Sequence, residues 1–333
     1  MSKAITVLMS VFNSQAYLAE AVESVLAQSW PDFEFLIFDD GSSDDSWKIL
    51  QSYSDPRIQL VKNEKNIGLS ATLNRGLVMI ESPYIVRMDA DDIARPHRLK
   101  QQFEFMETHP EVDVCGTWAR YFGRESRTWR PPEQDTAIRA KLLMDCPLAH
   151  PSVMIRTSLL RKHGLRYSEE SRYCQDYRLW ADCAPFGNFH NLPEVLLHYR
   201  LHEEQSGVTA KPEQQAVADQ VRLSYLEKNL GMALSSEETQ AYIMFLRAER
   251  GLDTIALERI QSLLERILCA NKERSAFDST YLQGELSRRW TRICRRSGVG
   301  RRRLWQLFAS SSLYKNCGTW DRLQVGFRCF KNR

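Results

Sequence analysis

The sequence predicts an α/β fold: a mostly parallel sheet with helices on both faces, followed by an all-helical C-terminal region. Three observations carry this. Up to about residue 200, short β-branched or aromatic runs alternate with amphipathic stretches, the pattern of strands joined by helical crossovers. After about His202 the strand signals stop and apolar residues fall at helical spacing, as in Val217-Val221-Tyr225 and Ile255-Ile260-Leu263-Leu264-Ile267. Nowhere does an uninterrupted apolar run approach the roughly 18 residues that a membrane-spanning helix needs.

Strands are expected over residues 5–12, 33–38, 58–61, 84–88, 112–122 and 152–155, and helices over 16–28, 44–53, 69–80 and 98–109. Asp44 is placed to cap the second helix, and Pro96 sits near the start of the fourth, where a missing N–H costs nothing. Ser206, Gly207 and Pro212 punctuate the chain, so the expected domains are 1–207 and 208–333.

A chain of 333 residues with 43% hydrophobic and 26% charged residues has ample material for a core, which excludes wholesale disorder and a coiled-coil rod. Its start, Met1-Ser2-Lys3-Ala4, runs straight into a strand-like segment and not into a signal-peptide apolar stretch, so a cytosolic protein is expected. The eight cysteines form no C-x-x-C pair and no zinc spacing, and reduced structural thiols are expected. Charge is divided unevenly. Residues 286–333 hold 13 Lys and Arg against one acid, Asp321, whereas the other 285 residues hold 32 basic against 41 acidic side chains. That split suggests an acidic catalytic body and a cationic end that meets something anionic.

In open α/β sheets ligands collect at the carboxyl ends of strands, so the polar residues that follow strands are read first. Asp39-Asp40-Gly41-Ser42 suits a plain strand-to-helix turn and equally a nucleoside site, with a carboxylate accepting from a base N–H. No G-x-G-x-x-G follows the first strand, which counts against a dehydrogenase. Asp89 and Asp91 flank Ala90, and if the strand persists through them both carboxylates fall on one face. Two converging carboxylates repel unless a hard divalent cation such as Mg²⁺ or Mn²⁺ lies between them, and such a cation bridges to nucleotide phosphates. An acidic loop facing solvent is the alternative. Gln175-Asp176-Tyr177-Arg178-Leu179-Trp180 places Asp176 just before a helical stretch, either as a capping carboxylate or as a general base.

Taken together, Ser10-Val11-Phe12-Asn13, Asp39-Asp40-Gly41-Ser42-Ser43-Asp44, Asn66-Ile67-Gly68-Leu69, Asp89-Ala90-Asp91-Asp92 and Gln175-Asp176 resemble glycosyltransferase family 2 over residues 3–202. His150-Pro151-Ser152-Val153-Met154 with Gln175 to Trp180 is similar to bacterial enzymes of exopolysaccharide and O-antigen assembly. The resemblance implies a Rossmann-like GT-A fold, a nucleotide-sugar donor, Mn²⁺ or Mg²⁺, and transfer with inversion. It implies that Ser10, Phe12 and Asp40 form the nucleobase pocket, that Asp89 lies near the ribose, that Asp91 touches the metal, and that Asp176 is the base. Tyr199-Arg200-Leu201-His202 resembles a closing segment, with His202 as a further metal ligand or a structural residue.

The tail interleaves Arg288, Arg289, Arg292, Arg295, Arg296, Arg301, Arg302 and Arg303 with Trp290, Trp305, Phe308, Trp320, Phe327 and Phe330. This suits an anionic membrane interface, or aromatics packed on the preceding helices with solvated arginines; nucleic-acid binding ranks last, because no nucleic-acid module is recognised. The expected activity is transfer of a hexose or N-acetylhexosamine, galactose first, from a UDP-sugar to a polyprenyl-diphosphate-linked glycan at the inner membrane face. A sugar nucleotidyltransferase would need a basic or glycine-rich phosphate loop that Ser10-Val11-Phe12-Asn13-Ser14 does not supply. A non-catalytic membrane- or glycan-binding protein would have no use for Asp40, Asp89, Asp91 and Asp176 together.

Overall fold

The computed structural model describes residues 3–203 and 211–316, with residues 322, 325, 326 and 329. The chain forms two compact units, Met1–Ile138 with Cys146–Ala218 and Arg139–Asp145 with Asp219–Arg333. Gly207, where the sequence places a boundary, lies outside the described residues.

The first unit runs β1 (Ile5–Val11), α1 (Leu18–Leu26), β2 (Phe33–Asp39), α2 (Ser46–Gln51), β3 (Ile58–Lys62), α3 (Leu69–Met79), β4 (Tyr84–Asp89), β5 (Ile93–Ala94), α4 (Arg98–Thr108), β6 (Val114–Gly123) and β7 (Arg127–Trp129). Helix α5 (Asp135–Leu142) follows, then a 3₁₀ turn (His150–Ser152), β8 (Met154–Arg156), α6 (Thr157–His163), α7 (Gln175–Cys183) and β9 (Phe189–Leu201). The nine strands of the described residues form one sheet in the order β3-β2-β1-β4-β8-β6-β9-β5, with β7 on β6. Strands β1 to β4 are parallel, so β1, β2 and β4 end at one edge. Strand β8 runs against both β4 and β6, and β9 runs parallel to β6. This is a mixed, mostly parallel α/β sheet followed by a helical C-terminal region, as the sequence predicts.

Period-2 burial builds the core on one face, where Ile5, Val7, Met9 and Val11 of β1 meet Phe33, Phe35 and Ile37 of β2 and Leu18, Val22 and Val25 of α1. On the other face α3 packs so closely that a Cβ on Gly76 would lie 2.5 Å from Leu8 Cδ1 and 3.3 Å from Phe38 Cε2. Strand β9, the sheet's longest at 13 residues, was not among the expected strands. Its Asn191-Leu192-Pro193-Glu194 stretch breaks the alternation, and its pairing with β6 shifts register at Thr117/Trp118 and Trp118/Ala119.

Helix α8 (Lys211–Leu230) begins in the first unit and continues into the second, whose other described elements are α9 (Ser236–Arg247), α10 (Thr254–Arg274), α11 (Ser279–Arg296), α12 (Arg301–Ser310) and a 3₁₀ turn (Ser312–Asn316). Ser235 and Glu238 form a reciprocal capping box, and Asp253 and Asp278 cap the next two helices. Of the expected apolar stripe Ile260, Leu263, Leu264 and Ile267 are buried, but Ile255 is 60% exposed because it lies in the first turn of α10. Of the two placements expected for the tail's aromatic residues, Trp290 and Phe308 take the inward-packed one. Trp290 and Phe308 are fully buried, while Arg288, Arg292, Arg295, Arg296 and Arg301 to Arg303 are exposed, so burying the rings inward leaves a surface of guanidinium groups. Trp320, Phe327 and Phe330 lie outside the described residues. Among the described residues no helix is long and apolar enough to cross a membrane. Cys115, Cys146 and Cys183 are largely or wholly buried and form no disulfide among the described residues.

Candidate active site

Parallel register brings the three strand ends together: Ser10 of β1 is opposite Phe38 on β2 and Asp89 on β4, and Val11 is opposite Asp39. The loops that follow are laced to each other. Asn13 N donates to Ser42 Oγ at 3.1 Å, and Asn13 Oδ1 accepts from Ser43 N at 2.8 Å. Asn13 holds a left-handed φ of 47°, a conformation asparagine tolerates. Phe12 beside it is 47% exposed, a large ring presented to solvent. Asp40 is 2% exposed, and its Oδ1 accepts from Asn63 Nδ2 (2.7 Å) and Ile67 N (3.0 Å) while Oδ2 accepts from Gly68 N (3.0 Å). A carboxylate has about four lone-pair sites, so these three bonds leave one on Oδ2.

Strand β4 ends at Asp89, and a turn, not an extended strand, brings Asp91 and Asp92 back beside it. The expected strand-face geometry is corrected to that extent. Asp89, Asp91 and Asp92 each offer a carboxylate oxygen, and the three lie within 4.8 Å of one another. Arg87, 1% exposed, pairs with Asp89 and donates to Met88 O. Behind it Arg98 donates to Arg87 O at 2.9 Å, and burial draws its guanidinium down to about 9. Burial raises the Asp89 carboxyl, with Arg87 opposing, and raises Asp92 well above its ordinary range, with the charges of Asp91 and Asp89 adding. Asp92 Oδ1 accepts from Arg200 N at 2.8 Å, and its buried Oδ2 has no hydrogen-bond partner among the described residues.

The end of β9 closes on this turn. Arg200 Nε donates to Asp91 O at 2.8 Å, its guanidinium pairs with Glu20, and it lies 4.5 Å over both the Tyr17 and Phe122 rings. His202 Nε2 is 3.0 Å from Asp91 Oδ2, with its ring 4.9 Å from that of Tyr17.

Asp176 stands in the first turn of α7; Cys174 is the N-cap residue and makes no side-chain cap bond. Asp176 is therefore not the capping residue. Cys146 Sγ donates to its Oδ2 at 3.7 Å. Burial pushes the Asp176 carboxyl up to about 6, with the Asp89 charge adding to the rise and the Cys146 bond opposing it. His150 is buried with Nε2 2.9 Å from the Tyr167 hydroxyl, and burial holds its imidazole far below the usual range.

Ser10, Asp89, Asp91 and His202 thus meet around one turn, Phe12 and Asp40 lie on the adjoining loops, and Asp176 sits within electrostatic reach of Asp89. Arg87, Cys146 and the bonding of Arg200 were not foreseen. An arginine inside the apolar run Tyr84-Ile85-Val86-Arg87-Met88 was the available signal, since a charge in a buried strand requires a partner.

The family profile described as Glycosyl transferase family 2 matches residues 6–164. The chain is 32% identical over 203 residues to the amylovoran biosynthesis glycosyltransferase AmsE of Erwinia amylovora, covering 59% of this chain and 75% of AmsE. It belongs to glycosyltransferase family 2. The O-antigen biosynthesis glycosyltransferase WbnJ of Escherichia coli is 29% identical over 224 residues, 62% of this chain and 83% of WbnJ. The fold of this family 2 enzyme is similar to that of S. aureus TarS 1-349 solved with UDP-GlcNAc, with a TM-score of 0.59 and 16% identity over 98% of this chain and 92% of that one. The chain is a glycosyltransferase whose relatives work in exopolysaccharide and O-antigen biosynthesis.

Proposed function

We propose that this glycosyltransferase moves a hexose or N-acetylhexosamine, with inversion, from a UDP-sugar to a polyprenyl-diphosphate-linked glycan at the inner face of the cytoplasmic membrane. The observation that carries the reading is the convergence of three carboxylates at the strand edge beside Ser10, within reach of a separate carboxyl, Asp176, whose pKa lies near 6. The donor set fits a hard divalent cation: its ligands are oxygens, gathered within 4.8 Å of one another, and the buried Oδ2 of Asp92 has no hydrogen-bond partner among the described residues. Asp91 and Asp89, with His202 at the rim, are the residues to hold Mn²⁺ or Mg²⁺, which supplies electrostatic neutralisation of the departing diphosphate.

The protein's own residues account for the remaining steps. Phe12 offers a ring face to the base, Ser10 lines the pocket, and the remaining lone pair of Asp40 suits a base N–H. Asp176 takes the proton of the acceptor hydroxyl as the oxygen forms its bond to the anomeric carbon. The sugar–phosphate bond breaks with its electron pair leaving on the diphosphate. One in-line displacement needs one base, and no covalent enzyme intermediate is involved. A carboxyl with a pKa of about 6 is largely ionised at pH 7 and more basic than an ordinary aspartate, which suits this task.

Exposed arginines on α11 and α12 support contact with anionic lipid chiefly through charge, since Trp290 and Phe308 beside them are buried and Trp305 is partly so. Galactose is the leading sugar, on the similarity to exopolysaccharide enzymes. A panel of nucleotide sugars assayed for nucleotide release with and without Mn²⁺ tests the activity. Release from UDP-sugars that vanishes with chelator is expected, and release indifferent to both metal and nucleotide would overturn the reading.

A further inference from the structure

Helix α3 is bonded to two separate parts of the site. At its N-terminus the Asp40 carboxylate accepts from Ile67 N and Gly68 N, both at 3.0 Å. Within the next turns Ser70 Oγ donates to Ser168 O at 3.1 Å, and Asn74 bonds Tyr167 in both directions: Asn74 Nδ2 donates to Tyr167 O, and Tyr167 N donates to Asn74 Oδ1, each at 2.9 Å. Residues 165–174 contain no helix or strand of their own, so these bonds stand in for a sheet partner. The same segment carries the Tyr167 hydroxyl to His150 and passes through Tyr173, at a left-handed φ of 66°, into the first turn of α7 and Asp176.

The side chain at position 74 is chemically particular. A primary amide presents N–H donors and a carbonyl acceptor in one plane, matching a backbone C=O and N–H, whereas ionised Asp presents acceptors alone and Leu presents neither. Nor can α3 shift to compensate for a change, because Gly76 already lies against Leu8 and Phe38.

We infer that Asn74, aided by Ser70, is a positioning residue that ties the nucleotide side of the site at Asp40 to the segment leading into Asp176, so that a bound nucleotide also orders the acceptor side. The inference rests on the proposed roles of Asp40 and Asp176. Asn74 touches no reacting atom; it acts through the backbone of Tyr167.

Amide hydrogen exchange on the full chain with MnCl₂ and UDP, GDP or dTDP tests it, in the unsubstituted protein and in Asn74→Ala, Asn74→Asp and Ser70→Ala. In the unsubstituted protein, a nucleotide is expected to slow exchange at residues 67–68 and, by about fivefold or more, across 165–174. In Asn74→Ala and Asn74→Asp the protection at 67–68 stays and that across 165–174 is lost, while transfer kcat falls by roughly 10–100-fold and donor KM moves by less than about threefold. Should the position 74 variants fail to melt cooperatively, Ser70→Ala, which removes one hydroxyl, carries the test with a partial loss of protection. Protection at 67–68 that never spreads to 165–174, or that spreads equally in every variant, overturns the coupling alone. No protection at 67–68 with any nucleotide overturns the nucleotide-side reading of Asp40, and the coupling with it.

Discussion

Cys146 donates its thiol hydrogen to Asp176 Oδ2 across 3.7 Å, from a loop that the sequence separates from it by 30 residues. The bond favours the ionised carboxyl, against burial and the Asp89 charge, which favour the protonated one. As a base Asp176 works only when ionised, so transfer should climb as pH rises through about 6 and level off above it. Cys146→Ala removes the opposing bond and should move that rise to higher pH, while Cys146→Ser should nearly restore it. A pH–kcat/KM profile of the three proteins checks this, and profiles that superimpose would argue against the bond's influence.

Asp176→Asn should keep nucleotide binding and lose transfer by roughly 10³-fold or more. Its effect on stability runs the other way. The folded-state pKa of Asp176 lies above the ordinary 3.8, so the folded protein binds this proton more tightly than the unfolded chain does, and stability falls as pH rises from about 4 to about 6. A neutral amide escapes that penalty and should stabilise the protein by about 1–3 kcal/mol at pH 7.5, read as a raised Tm that shrinks toward pH 4.

Asp91→Asn should raise the Mn²⁺ concentration for half-maximal activity at least about tenfold, because a neutral amide is a weaker ligand than a carboxylate. Titration with Mn²⁺ followed by calorimetry measures it directly. His202→Ala should produce a smaller change of the same sign.

Arg200→Met should leave the sheet intact and weaken the carboxylate turn, since Nε on Asp91 O and the Glu20 pair are lost while the Arg200 N bond to Asp92 remains. A rise in donor KM of roughly 5–20-fold, from about 1–2 kcal/mol of lost hydrogen bonding, is the expected result in steady-state assays.

Trp290→Ala should destabilise the helical unit by about 3–5 kcal/mol in denaturant melts, as a fully buried ring does. Replacing the exposed Arg292, Arg295, Arg296 and Arg302 with Gln should leave the melt unchanged and release the protein from anionic liposomes in sedimentation. Retention of the quadruple variant on such vesicles would remove the lipid contact.

Much of the parallel half of the sheet was legible because its strands are short apolar runs bounded by turn residues, and β1 to β4 lie close to where alternation places them. The site was legible as residue types but not as geometry. Asp89 and Asp91 share a face only if the strand runs on through them, whereas the strand stops at Asp89 and a turn gathers Asp92 as well. Strand β9 was missed because its middle breaks alternation, and with it the means by which Arg200 and His202 reach the turn. Tertiary hydrogen bonds such as Cys146 to Asp176 leave no local trace in a chain, since neither partner's neighbours specify the other.

Between Val114 and Gly123, β6 guides β9 through two slips of pairing before β9 hands over Arg200 and His202. The final pleats must arrive in phase, and that phase is decided upstream, between Leu192 and Leu197. Removing a single residue near Pro193 would send the imidazole to the wrong side of the ribbon, like a gear engaged one tooth late. Every acidic motif would survive such a deletion, and the chain would still read as a glycosyltransferase while its carboxylate turn had lost its clasp.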